Sequence, residues 1–347
     1  MRIVVLDTAA SSGGALSILR DFYSYLVESG DTNEWIFLLS DAYVQETDRI
    51  KIRINREVKE NWFKRIWFDV YRGKGYINAL EPDVVLSLQN TLPKGIRAKK
   101  YLYVHQTIPF QREKSFSFFK KEERIYAIYQ YVIGRRIKKS IQYADCVVVQ
   151  TQWLKKAVEG ICGPHTKIMK CVPTVKKQEF EQDAFSPFYF IYPAAPIIYK
   201  NHKVIEDACK ILVDKGISGF RVDFTFDGND HSGIYYVGTL ERSDLFKRYT
   251  KGTLLFPSYI ESFGYPLKEA SGVGSIILAS DREFAHELLE GYANAYYFDP
   301  FDSSQLAELM EKVMKGQIYP KLSSPQETSQ EEGWQVLVRC ICERSMQ

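Results

Sequence analysis

Two glutamates, eight residues apart, bracket the predicted start of a helix in the C-terminal half of the chain. The stretch from Leu254 to Asp281 consists of an apolar run, a loop, a helical pattern and a second apolar run. This order predicts one strand–helix–strand unit of a parallel sheet, with Glu261 in the loop, Pro266 in the first helical turn and Glu269 in the helix. Helix starts bind anions such as phosphate, and carboxylates accept hydrogen bonds from hydroxyl groups. The combination suits a sugar nucleotide as the ligand.

The segment around these glutamates carries a longer pattern than the pair alone. Residues 257–270 read PSYIESFGYPLKEA, which resembles the donor-site signature of the retaining glycosyltransferases of family 4, of the bacterial surface-polysaccharide type. The resemblance implies that Glu261 holds donor-sugar hydroxyls or faces the developing oxocarbenium ion, and that Glu269 binds the ribose. It also implies donor contacts from the residues that follow Glu261, namely Ser262, Phe263, Gly264 and Tyr265. The alternative is a Rossmann-like loop with two solvated glutamates.

A lysine that precedes a predicted amphipathic helix is the second chemical candidate. Lys200 and Asn201 belong to the string YKNHK, which resembles the phosphate-binding lysine motif of the same family. The resemblance implies that Lys200 neutralises the departing diphosphate. The chain departs from the family pattern at Ala195, where many members have an arginine. Either Lys200 acts alone with the helix start near Gly264, or another cation replaces the arginine; a solvated loop lysine is the alternative.

Further candidates lie at the ends of predicted strands in both halves. His105 follows the strand 101–104, at the sheet edge where site residues of parallel α/β folds collect. Family members often carry a histidine there, so the resemblance implies a catalytic contact with the donor sugar. Gly13 and Gly14 follow the first strand, where backbone can approach a ligand closely. The resemblance extends donor contacts to these glycines and to Gly238; a loop histidine and ordinary turns are the alternatives.

Alternating strands and helices must position these side chains. The apolar runs of the N-terminal half predict strands at 2–6, 35–40, 82–87, 101–104 and 144–151, the last being expected to end that sheet. Those of the C-terminal half predict strands at 188–192, 220–226, 235–238, 254–256, 276–279 and 296–298. A polar linker at 173–188 separates the halves.

The fold expected from this order and from the resemblance is α/β and of the GT-B class. It has two Rossmann-like domains that face each other across a cleft. We expect residues 1–178 to bind the acceptor and residues 186–330 to bind the nucleotide sugar. A terminal helix at 331–347 is expected to be able to cross back to the first domain.

Composition is that of an ordinary globular protein, because 45% of the 347 residues are hydrophobic and 26% are charged. No apolar run reaches the roughly 18–20 residues of a membrane-spanning helix. The start MRIVVLD reaches a charge too early for a signal peptide. We therefore expect a cytoplasmic location and free thiols on the six scattered cysteines.

Charge is distributed unevenly along the chain. Residues 1–185 carry 30 Lys and Arg against 21 Asp and Glu, a net charge of +9, whereas the remainder has 16 against 22, a net −6. Two basic segments, 51–74 and 112–139, are also rich in aromatic residues. They predict peripheral contact with an anionic membrane. The alternatives are amphipathic helices with their aromatics packed inward, or a nucleic-acid surface; we expect no nucleic-acid partner.

The activity implied by the resemblance is transfer of a hexosyl group, with retention, from a UDP- or GDP-sugar to a hydroxyl of a glycan or lipid-linked glycan. The chain lacks an Asp-x-Asp element, and the family implies independence of metals, so no metal and no other cofactor is expected. One alternative is a sugar-nucleotide epimerase on the same fold. Another is a catalytically degenerate glycosyltransferase-like binding or scaffold protein, which Ala195 favours. A glycosidase-like carboxylate pair is disfavoured because Glu261 and Glu269 are close in sequence.

Overall fold

The chain forms two compact units in a computed structural model that describes residues 1–10, 13–60, 64, 67–173, 175, 183–321 and 333–344. The first unit is Met1–Pro173 together with Gln330–Gln347, and the second is Thr174–Ser329. Half of the predicted linker 173–188, namely 174 and 176–182, lies outside the described residues, as do 61–63 and 65–66 of the basic segment 51–74.

A parallel seven-stranded sheet forms the centre of the first unit, in the order β3-β2-β1-β4-β5-β6-β7. The strands are β1 (Arg2–Asp7), β2 (Glu34–Leu39), β3 (Ile50–Ile54), β4 (Val84–Ser87), β5 (Lys99–Val104), β6 (Cys146–Val149) and β7 (Lys167–Lys170). Strands β1, β4 and β6 are continuous apolar runs because both faces of the sheet are covered. The strand order reverses between β1 and β4, which is the position where such sheets bind ligands.

Helices cover both faces of this sheet. They are α1 (Gly13–Glu28), α2 (Glu57–Glu60), α3 (Gly73–Asn78), α4 (Arg124–Ala127), α5 (Gly134–Tyr143), α6 (Gln152–Glu159) and α12 (Gly333–Arg344). Two π-helical turns, Phe68–Arg72 and Ile128–Ile133, lead into α3 and α5. One apolar cluster joins a face of the sheet to α1 and α12, and a second joins the other face to α2, α3, α5 and α6.

The terminal helix α12 is part of the core of the first unit. The ring of Trp334 stacks on Tyr103 at 5.3 Å between centroids and lies 4.9 Å from that of Phe22. Its indole Nε1 donates a hydrogen bond of 2.7 Å to Asp21. Leu337 and Ile341 are fully buried in the same cluster. The chain therefore returns to the first unit, as the sequence suggested.

The second unit is built on a parallel six-stranded sheet in the order β10-β9-β8-β11-β12-β13. Its strands are β8 (Tyr189–Tyr192), β9 (Arg221–Phe224), β10 (Ile234–Tyr236), β11 (Thr253–Phe256), β12 (Ile277–Ser280) and β13 (Ala295–Phe298). The strand order reverses between β8 and β11. The loops that follow these two strands are therefore the expected ligand site of this unit.

In the described part of the second unit, four helices connect strands of the sheet and a fifth follows β13. They are α7 (His202–Asp214), α8 (Arg242–Lys251), α9 (Tyr265–Gly272), α10 (Glu283–Leu288) and α11 (Ser303–Met314). A 3-10 turn, Ile198–Lys200, precedes α7. Among the described helices of either unit, none has the length and apolar character needed to cross a bilayer.

Two edge strands of the first sheet differ from the sequence prediction. The strand at 144–151 was expected to end this sheet, but β7 follows it and pairs in parallel with β6. At the opposite edge, β3 occupies the start of the basic segment 51–74. The sequence IKIRI alternates apolar and charged residues and KIMK has a lysine at each end, because edge strands are solvated and charge there protects them from further pairing.

Candidate functional site

The loops after β8 and β11 bring Lys200 and Glu261 into contact. The Lys200 ammonium forms a hydrogen-bonded ion pair with Glu261 Oε1, and both side chains are largely buried. The hydroxyl of Tyr192 donates to the carbonyl of Lys200 at 2.6 Å. The backbone N–H of Tyr259 and the hydroxyl of Ser258 both donate to the carbonyl of Tyr199, at 3.2 and 3.3 Å. The two loops are thereby fixed to each other by main-chain contacts.

Asn201 fastens a third loop to this pair. Its backbone is left-handed, with φ of 63°, a conformation that asparagine tolerates better than most residues. Its side-chain amide donates to the carbonyl of Pro300 at 2.5 Å and to that of Pro257 at 3.4 Å. The side-chain amide of Asn201 therefore links the loops that follow β11 and β13. Its contact with the donor stays a prediction.

The turn into α9 is set by Gly264. This residue caps the helix with φ of 90° and ψ of 60°, a left-handed conformation that favours glycine, and Pro266 follows in the first turn. Phe263 is buried and packs edge-on against Tyr265 at 5.1 Å, while Ser262 is partly buried. The first turn of α9 therefore starts directly after the loop that carries Glu261.

Glu269 is held by partners that the sequence did not indicate. Arg242, at the start of α8, places Nη2 2.9 Å from Glu269 Oε1, and the buried hydroxyl of Tyr249 donates to Oε2 at 3.3 Å. Burial raises the pKa of the Glu269 carboxyl, against the effects of the Arg242 charge and the Tyr249 hydrogen bond. The sequence contains many arginines, so only the fold identifies this one as the partner of Glu269.

His202 is a second residue that the prediction omitted, although it belongs to the string YKNHK. Its ring lies 4.8 Å from the ring of Tyr192 and 4.9 Å from those of Phe224 and Phe226. Burial is the main cause that lowers the pKa of His202 to about 4, and the nearby charge of Lys200 adds to it. Its Nε2 is buried without a hydrogen-bond partner among the described residues. At neutral pH an uncharged imidazole therefore lies buried directly after the turn that carries Lys200.

His105 lies in the first unit, just beyond β5, as predicted. Its Nε2 is 2.9 Å from the amide nitrogen of Asn90 and 3.0 Å from the carbonyl of Leu88, and its backbone N–H donates to Asn90 Oδ1 at 2.7 Å. Burial lowers the pKa of the His105 imidazole to about 4, so the ring is neutral at pH 7. The ring is thus fixed to the end of β4.

The three candidate glycines have free space around them, and two of them, Gly13 and Gly238, have a left-handed backbone. Gly13 has φ of 60° and begins α1, and a Cβ at Gly13 or Gly14 would meet no atom within 4 Å. Gly13 and Gly14 therefore lie in the first turn of α1. Gly238 has φ of 68°, and its nearest side-chain atom is Asp227 Oδ1 at 3.6 Å from an added Cβ. These positions leave room for a ligand without identifying one.

The predicted site residues fall into two groups. Within the second unit, the structure brings together the loops that carry Lys200, Asn201 and residues 261–265, while α9 carries Glu269. Ala195, at the position of the arginine expected from the family, is exposed in the loop after β8. Gly13, Gly14 and His105 belong to the first unit. In the described ranges, no group of three or more His, Cys, Asp or Glu side chains is arranged to bind a metal ion.

Comparison of the sequence with known protein families finds a match over part of the second unit. Residues 231–331, which include Glu261 and Glu269, match the family model described as glycosyl transferases group 1. No curated protein sequence matches the chain.

Similarity to solved structures extends over nearly the whole chain. Sucrose-phosphate synthase from Thermosynechococcus elongatus is 13% identical with a TM-score of 0.66, covering 99% of this chain and 96% of that one. Anabaena HepE in complex with UDP and glucose is 15% identical with a TM-score of 0.64 and 99% coverage of each chain. The lipopolysaccharide outer core galactosyltransferase WaaB is 14% identical, with a TM-score of 0.64 and coverage of 99% and 100%. The chain therefore has the GT-B fold of two Rossmann-like domains, as predicted.

Proposed function

We propose that this chain is a retaining glycosyltransferase that moves a hexosyl group from a UDP- or GDP-sugar to a hydroxyl of a glycan or lipid-linked glycan. The observation that carries the proposal is the contact of Lys200 with Glu261 beside the Gly264 turn, where the strand order of the second sheet reverses. The group 1 family match over 231–331 supports it. So do two structural neighbours, HepE with bound UDP-glucose and WaaB, a galactosyltransferase.

The departing diphosphate sets the main chemical demand, because negative charge grows on it as the glycosidic bond breaks. In our proposal the Lys200 ammonium and the N–H groups at the start of α9 receive that charge. Such donors, fixed in advance, stabilise the transition state more than the ground state. The hydrogen bond from Tyr192 to the carbonyl of Lys200 supports this role, since it holds the lysine backbone in place.

Glu261 has a second role in the proposal once the diphosphate is bound. Its carboxylate pairs with Lys200, so a phosphate oxygen that takes the ammonium as its partner frees Oε1 for donor-sugar hydroxyls. A negative charge on that face also stabilises the developing oxocarbenium ion. The ion pair therefore keeps both groups in position before the donor enters.

Glu269 is proposed to bind the ribose, together with a residue that the sequence did not indicate. Its two oxygens already accept from Arg242 and Tyr249, and these bonds fix the direction of the carboxylate. A ribose hydroxyl can donate to the remaining lone pairs. The arginine lies at the start of α8, four residues after Gly238, which we propose to line the nucleotide site as well.

His105, Gly13 and Gly14 are the contributions that we propose from the first unit. A neutral imidazole can exchange a hydrogen bond with a sugar hydroxyl without adding charge near the reacting carbon. We propose that the reaction needs no metal ion and no other cofactor. Unchanged transfer rates after treatment with EDTA, with no gain on addition of Mg²⁺ or Mn²⁺, are the expected result.

One alternative is a degenerate domain that binds a nucleotide sugar without transferring it. Ala195 favours it, because the second cation expected from the family is absent there and Glu261 neutralises Lys200. Donor turnover separates the alternatives, because a binding domain shifts its melting temperature with the donor but releases no nucleotide. A sugar-nucleotide epimerase would convert the donor sugar without needing an acceptor.

A thermal-shift screen against UDP, GDP, ADP and TDP and their sugars tests the donor site directly. A ligand of the native state raises the melting temperature by mass action. We expect one base to stabilise the wild type and the shift to be lost in Lys200→Ala and Glu269→Ala. Lys203→Ala is the matched control, because Lys203 is exposed and pairs with Asp207 at 2.6 Å. If none of these ligands raises the melting temperature of the wild type at millimolar concentration, the proposed donor site is refuted.

A further inference from the structure

Exposed apolar side chains are concentrated in two short segments of the first unit. Of the seventeen large hydrophobic side chains that are exposed in the described part of the chain, nine lie within residues 67–76 and 118–132. They are Trp67, Val70, Tyr71, Tyr76, Phe118, Phe119, Ile125, Tyr131 and Val132. Scattered exposed hydrophobics are ordinary, but a concentration of this kind marks an interaction surface.

The loop that precedes α4 presents the most exposed of them. Phe119 is 95% exposed, and Phe118, at 42%, packs against Tyr131 at 5.7 Å. Phe116 instead packs inward against Tyr126, at 5.3 Å. The interpretation of this segment as a helix with all its aromatics packed inward is therefore wrong, because one set of aromatics is buried and another faces solvent.

Both segments belong to the same helical layer of the first unit. The first runs into α3, which buries Ile77, and the second runs into α5, which buries Ile137 and Ile141. All three isoleucines lie in one apolar cluster against one face of the sheet, whereas α1 and α12 cover the other face. We call the exposed side chains of residues 67–76 and 118–139 the basic–aromatic face.

Positive charge accompanies the apolar side chains on this face. Lys121, Arg124, Arg135 and Lys139 are exposed. The one buried carboxylate of the segment, Glu123, is paired with Lys114 at 3.0 Å and with Lys120 at 3.7 Å, and its pKa is lowered chiefly by a hydrogen bond from the Ser117 backbone. Residues 112–139 carry nine Lys and Arg against three Glu, so a net positive charge remains.

We infer that the basic–aromatic face docks on the surface of an anionic phospholipid bilayer. Aromatic side chains enter the headgroup region, and lysine and arginine contact lipid phosphates. The exposed aliphatic residues Ile125 and Val132 favour this partner over a nucleic acid, because aliphatic side chains can enter hydrocarbon but do not stack on bases. The inference goes beyond the proposed transfer reaction and does not depend on the donor site.

Sedimentation of the full chain with vesicles tests the inference. We expect binding to phosphatidylcholine vesicles that contain phosphatidylglycerol, little binding to phosphatidylcholine alone, and release at high salt. The double variant Phe118→Ser, Phe119→Ser should lower the vesicle affinity by about tenfold or more, because both rings leave the headgroup region. Lys121→Glu with Lys139→Glu should weaken binding mainly at low salt.

Two controls keep the outcome interpretable. Val27→Ser changes a side chain that is 51% exposed on the opposite helical layer, and Tyr319→Ser changes one that is 61% exposed in the second unit. Both should leave vesicle binding unchanged, and all variants should keep the wild-type melting temperature. Equal losses in controls and double variant, no vesicle binding by the wild type, or preferential binding to single-stranded RNA would overturn the inference.

Discussion

Arg242 Nη2 lies 2.9 Å from Glu269 Oε1, so a helix start in the second unit holds the carboxylate of the next helix. The glutamate side chain is 9% exposed and the arginine 47%. The carboxylate is therefore buried, whereas about half of the arginine side chain remains in contact with water. Arg242 thus supplies a positive charge to the buried glutamate without being buried itself.

Removal of this support should destabilise the fold in a pH-dependent way. We expect Arg242→Ala to cost about 1 kcal/mol at neutral pH, discounted for the exposure of the arginine. Burial already raises the folded-state pKa of Glu269, so protonation favours the folded chain and the loss should shrink as the pH falls toward 5. Chemical unfolding at several pH values measures this. Adding Glu269→Gln should restore most of the loss; an unchanged loss in the double variant would contradict the pairing.

Lys200→Ala should reduce the transfer rate by about 10²–10³-fold, the usual effect of removing one donor to a developing negative charge. The loss should appear in kcat with the preferred donor, measured as nucleotide release in the presence of acceptor. Lys203→Ala, three residues later and 72% exposed at its side chain, should retain wild-type activity. Equal activity of the two variants would remove Lys200 from the mechanism.

Gly264→Ala should destabilise the second unit by about 1–2 kcal/mol, because a residue with a Cβ must adopt φ of 90° at the start of α9. A Cβ there would contact Leu267 Cδ1 at 3.4 Å, so conformational strain rather than collision is the cause. Urea unfolding measures the change. Gly272→Ala at the other end of the helix, where a Cβ meets no atom within 4 Å, should be neutral or slightly stabilising. If both substitutions behave alike, the left-handed cap is not the reason for the glycine.

Stability should fall between pH 6.5 and 4 partly because of two histidines. Burial lowers the pKa of His105 and of His202 from 6.5 to about 4, so each stays neutral in the folded chain while it gains a proton in the unfolded one. The unfolded state then binds more protons, and stability decreases as the pH falls through this window. The double variant His105→Gln, His202→Gln should flatten the curve of melting temperature against pH. A wild-type curve that is already flat would argue against buried neutral imidazoles.

The loops that carry Lys200 and Glu261 could be located from sequence because each follows a short apolar strand and because adjacent parallel strands end at one edge. Lys200 and Glu261 were assigned separately, and their contact follows from the pairing of β8 with β11. The support of Glu269 by Arg242 could not be predicted, since nothing in the α8 sequence indicates which way an exposed arginine turns. The edge strands β3 and β7 were missed because their charged residues interrupt the apolar run.

The packing of α12 on the first unit affects how the chain folds during synthesis. Trp334 fills a position between Phe22 and Tyr103, so the apolar surface around those rings stays uncovered until residues 333–344 have left the ribosome. By then the whole second unit has been translated. The second unit can thus complete its core before the first unit acquires its final helix. Until then the nascent chain exposes an apolar surface around Phe22 and Tyr103. Chaperones can bind to such a surface during translation.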